Sequence, residues 1–145
     1  KAIVAKIVKV DAAHDIALLA LTEADKDHTP AVTVSATAVT LGQTIVAIAG
    51  VGSMKVASGI ITAANDSKAE KAEEVVQTSF ETNIADEALV LGSAFLNTDG
   101  AVIGMYTGDV KAVPASVFGP LVASMAKPIE KAVDAKDVKT KDPAQ

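Results

Sequence analysis

The stretch SAFLNTDGAVIGMY, residues 93–106, decides the fold class. Two short apolar runs, 93–96 and 101–106, flank Asn97-Thr98-Asp99-Gly100. An Asp-Gly step between two such runs is a hairpin signal, because the turn needs positive-φ backbone that these residues supply readily. The same pattern repeats outward from it. Residues 3–10 are rich in β-branched side chains, and 16–21 form an apolar run after the polar His14-Asp15. Residues 32–35 read as a brief strand, and 44–49 (TIVAIA) as a buried one stopped by Gly50-Val51-Gly52. Runs at 56–62 and 75–80 follow. Short strand-like runs separated by turn signals, with little helical periodicity, predict an all-β barrel or sandwich.

A helix closes the pattern. Pro114-Ala115-Ser116 offers a stop and a capping serine, and Val117, Leu121, Val122 and Met125 then recur at helical spacing. Gly119-Pro120 delays the expected helix start to Pro120. Beyond it, residues 128–145 alternate lysine with acid and read as a charged tail or linker.

Composition narrows the function classes. At 145 residues the chain is long enough for one domain with a real core. Half of it is apolar but only 3% aromatic, so that core is built from Ala, Val, Ile and Leu. There is no cysteine, which rules out disulfides and thiolate metal sites and suits the cytosol and a bacterial envelope equally. The net charge is −5 and all 13 basic residues are lysine. An acidic chain without arginine lacks the bidentate groups that read bases or clamp phosphate, so neither nucleic acid nor an anionic membrane surface is an expected partner. Apolar runs such as 44–51 fall far short of the ~20 residues a spanning helix needs. No basic-then-apolar signal peptide opens the sequence, which begins within a strand-like pattern.

Three stretches, in order, resemble one family. AKIVKVDAAHDIALLAL (5–21) is similar to AKVVGTDPxxDLALLKI of the HtrA/Deg-type, trypsin-like serine proteases. LGQTIVAIAGVGSMKVASGIITAA (41–64) resembles VGQTVVAIGNPFG…TVTSGIVSAL, which opens that family's second β-barrel. ALVLGSAFLNTDGAVIGM (88–105) resembles SGGALVNLDGEVIGI, and AVPAS (112–116) resembles the segment before the closing helix. The resemblance implies an all-β, trypsin-like barrel. Residues 1–40 would be a partial first barrel, 41–127 a complete second barrel with its helix, and 128–145 the tail. It also favours a bacterial envelope or secreted location.

The same resemblance assigns site positions. Asp15 falls on the triad aspartate. Counting back from Asn97 places the nucleophile position on Leu91, the oxyanion-hole glycine on Leu89, and the glycine after the nucleophile on Gly92. Ser93 stands where the family has a second glycine. The family's histidine belongs to a T-x-x-H-V motif upstream of the aspartate, and only fourteen residues precede Asp15 here. An upstream piece, another chain or a rebuilt first domain would account for the rest of that barrel.

Leucine cannot attack a carbonyl, because nucleophilic catalysis needs an oxygen or sulfur whose proton a base removes. The expectation is therefore a catalytically inactive homologue that binds protein or peptide or serves as a structural module, with no cofactor. An extended peptide would pair with a strand edge within residues 108–113. Two alternatives stand beside it: an active endopeptidase using Ser93 and a histidine supplied from outside, and an architectural subunit. His14 and Asp15, adjacent in extended chain, point to opposite faces and cannot be an acid–base pair. Asp15 then reads as a relic or a structural hydrogen-bond acceptor, and His14 as a surface residue. Asp25, Asp27 and His28 fit neither an EF-hand nor a zinc spacing and read as a solvated loop, as do Glu70, Glu73 and Glu74. Gly50-Val51-Gly52-Ser53 reads as a strand-end turn, since no Walker lysine or helix follows.

Overall fold

The computed structural model describes residues 4–21, 32–35, 37–50, 52–68, 75–108 and 111–125. Among the described residues eight strands are followed by one helix: β1 (Ala5–Asp11), β2 (Ile16–Leu21), β3 (Thr44–Ala49), β4 (Lys55–Lys68), β5 (Val75–Thr82), β6 (Ala94–Leu96), β7 (Val102–Gly108), β8 (Lys111–Pro114) and α1 (Ala115–Met125). A 3₁₀ turn, Asp86–Ala88, lies between β5 and β6. Strands β3 to β8 close into an antiparallel barrel in the order β3-β4-β5-β8-β7-β6. The all-β barrel with a C-terminal helix is thus as expected.

The barrel is built around scarce aromatics. Phe80 meets Phe95 edge-on at 5.7 Å between ring centroids, and Phe95 meets Tyr106 in the same way at 6.4 Å. Edge-to-face geometry aims the positive ring edge at the negative face, which adds to the burial of apolar area. Ile45, Ile61, Ile84, Leu89 and Ile103 complete this core. Gly104 is required by it, because a Cβ there would sit 2.4 Å from the Phe80 ring.

The hairpin turn differs in one detail. Gly100 alone takes positive φ, and Asp99 does not. Asn97 supplies the rest, its Oδ1 accepting from the N–H groups of Asp99 and Ala101 at 3.0 and 2.9 Å. An asparagine side chain commonly closes turns this way.

The helix starts at Ala115, not at Pro120, so Gly119-Pro120 lies inside it. Burial of Ala115 and Phe118 against Ile16 and Val113 outweighs the one helical bond that proline removes. Ser116 is consequently not a cap, and among the described residues its buried Oγ has no hydrogen-bond partner. Residues 32–35 form no strand of their own. They attach to the barrel through one parallel bridge, Val34 to Val102, in which Ser35 N–H donates to Val102 O at 2.8 Å.

Strand β8 corrects an expectation. Within 108–113, the described residues of β8 offer no free edge, because β8 pairs with β5 (Phe80 with Ala112) and with β7 (Met105 with Val113). Closure of the barrel consumes both of its sides.

Among the described residues the first sheet contains only β1 and β2. Its register joins Ala5 to Leu21, Ile7 to Leu19 and Val10 to Ala17 on one face. The register shift at Val8 keeps Ile7 and Val10 on that same side. This face is entirely apolar, and all six of its residues are exposed. The opposite face carries Ile16, which is buried against α1. The charged tail 128–145 lies outside the described residues, as do Asp25, Asp27, His28, Glu70, Glu73 and Glu74.

Candidate functional site

The segment 85–93 leaves the 3₁₀ turn and enters β6, and it contains Leu91, the residue that the sequence resemblance assigns to the nucleophile position. Two leucines divide the work there. Leu89 is 7% exposed and belongs to the barrel core, whereas Leu91 is 71% exposed. A glycine at position 89 would leave that stretch of backbone free to turn. The buried leucine instead ties it to the core.

Backbone donors follow the same logic. Leu89 N–H donates to Asp86 O at 2.9 Å, inside the 3₁₀ turn. Val90 N–H donates to Ser93 Oγ at 3.0 Å, Gly92 N–H to Tyr106 O at 2.9 Å and Ser93 N–H to Val90 O at 2.9 Å. Leu91 N–H is the one amide of this run without a partner among the described residues. An oxyanion hole needs donors converging on one point, and here Leu89 N–H is committed to Asp86 O. Gly92 keeps a positive φ of 85°, so the glycine after the nucleophile position retains its turn.

Ser93 is 3% exposed. Its hydroxyl donates to Val90 O at 2.6 Å while accepting from Val90 N. The proton that a base would have to take is held by a backbone carbonyl. Ser93 therefore closes a local turn within its own segment.

The other expected residues lie in the β1–β2 turn. Asp15 has φ 53°, the only positive value for a non-glycine among the described residues, and its carboxylate makes no hydrogen bond among them. His14 pairs not with Asp15 but with Asp11, Nδ1 to Oδ2 at 2.8 Å, and Asp11 also accepts from the N–H groups of Ala13 and His14. The side-chain hydrogen bond with His14 is the main cause holding the Asp11 carboxyl below its ordinary value. Asp11 was missed as a partner, although D-x-x-H with the aspartate opening a turn is its local signal. Among the described residues no hydrogen bond joins His14 or Asp15 to segment 89–93, and no group of three His, Asp or Glu could hold a metal.

A cleft of about 600 Å³ runs between segment 90–93 and the β3–β4 turn, which is the strand-end turn expected at Gly50 and Gly52. Ile48, Met54, Val90 and Leu91 are its exposed apolar walls, and none of its lining side chains is ionisable. Beneath it, Tyr106 O–H donates to Asp86 Oδ1 at 2.7 Å, joining the end of β7 to the 3₁₀ turn. Neither Met54 nor the Tyr106–Asp86 bond had a signal in the sequence pattern. No helix among the described residues is long and apolar enough to cross a membrane.

Known proteins share this fold. The chain is similar in structure to Deg5, with a TM-score of 0.65 and 19% identity over 80% of this chain and 57% of that one. The MamO protease domain from Magnetospirillum magneticum gives 0.58, with 22% identity over 81% of this chain and 66% of that one. The Rv3671c protease from M. tuberculosis, in its active form, gives 0.62, with 18% identity over 87% of this chain and 60% of that one. The chain therefore spans less than two thirds of the length of each of these three proteins. No curated protein matches it. The family model for the trypsin-like peptidase domain matches residues 1–105, and with that match over the greater part of its length the chain belongs to the trypsin-like peptidase domain family.

Proposed function

We propose that this chain is a catalytically inactive trypsin-like domain that binds a protein or peptide without cleaving it. The observation that carries the reading is Leu91, a solvent-exposed hydrocarbon side chain at the position that the sequence resemblance assigns to the nucleophile. Nucleophilic catalysis there would need an oxygen or sulfur and an adjacent base. Ser93 is a poor substitute, because its hydroxyl is buried and bonded to Val90. The uncharged cleft beside Leu91 suits an apolar side chain of an extended peptide. With no aromatic residue in its lining, it favours weak binding over tight binding.

The test is binding without turnover. Fluorescent peptides carrying apolar residues are titrated with the protein and then analysed by mass spectrometry. Anisotropy should rise while the peptides stay intact, and Leu91→Asp should abolish the rise. Cleaved peptide, or binding indifferent to Leu91→Asp, would count against the proposal.

The open apolar face of the β1–β2 hairpin supports a second reading, an architectural module. On it, further β structure from another segment or another chain covers Ile7, Val10, Leu19 and Leu21 and completes the first barrel.

A further inference from the structure

We draw no further inference here: the strongest candidate, the solvent-facing apolar side of the β1–β2 hairpin formed by Ala5, Ile7, Val10, Ala17, Leu19 and Leu21, carries nothing more because nothing in the structure shows what covers it.

Discussion

Ser93 and Val90 close a reciprocal pair, in which the serine hydroxyl donates to Val90 O at 2.6 Å and accepts from Val90 N at 3.0 Å. The two bonds turn the chain between the exposed Leu91 and strand β6. They give Ser93 a structural role that needs no chemistry. Ser93→Ala should therefore lower stability by about 1–3 kcal/mol, the range for leaving the partners of a buried hydroxyl unsatisfied. Urea unfolding of the two proteins measures this, and an unchanged midpoint would show the pair to be idle.

Tyr106 and Asp86 hold β7 to the 3₁₀ turn. A hydrogen bond to a charged acceptor contributes about 1.5–3 kcal/mol, so Tyr106→Phe should fall near the lower end of that range. Asp86→Asn should cost less after Tyr106→Phe than before it. A double-mutant cycle reads the coupling, and strict additivity would deny the contact.

Gly104 faces the Phe80 ring with no room for a methyl group. Gly104→Ala should destabilise the barrel by about 1–3 kcal/mol or more through overpacking. Pairing it with Phe80→Leu should recover part of the loss. Thermal unfolding of the single and double variants checks both statements.

The Asp11–His14 pair predicts a local pH signature. Hydrogen bonding from His14 lowers the Asp11 carboxyl below its ordinary value of 3.8. A depressed carboxylate contributes stability above its unfolded pKa, and that contribution disappears as pH falls through the folded value. Because Asp11 is only partly buried and the pair lies at the surface, the effect is confined to the acid limb and is small. In a carboxyl NMR titration Asp11 should titrate below 3.8, and His14→Ala should move it back toward that value. An unchanged midpoint would mean that the pair does not form in solution.

The barrel was readable because its cues are local. TIVAIA before Gly50 and the Asn97–Gly100 turn mark a strand end and a hairpin whatever packs on them. The helix start was not readable, since burial of Ala115 and Phe118 against Ile16 is a tertiary effect that outweighs a proline signal. The closed edge of β8 was hidden for the same reason, because pairing with β5 joins residues some thirty positions apart. At the site, the identity of Leu91 could be read directly. The commitment of Leu89 N–H to Asp86 O could not, as it follows from Leu89 entering the core.

Reaction with an active-site fluorophosphonate tests the central claim most directly, applied to wild type, Ser93→Ala and Leu91→Ser, each alone and within any longer form of the protein. The account predicts no labelling of wild type or Ser93→Ala in either setting. It also predicts none for Leu91→Ser alone, because a hydroxyl without a base keeps its proton and Leu89 N–H is already bonded. Labelling of wild type that disappears in Ser93→Ala would contradict it and make Ser93 a nucleophile.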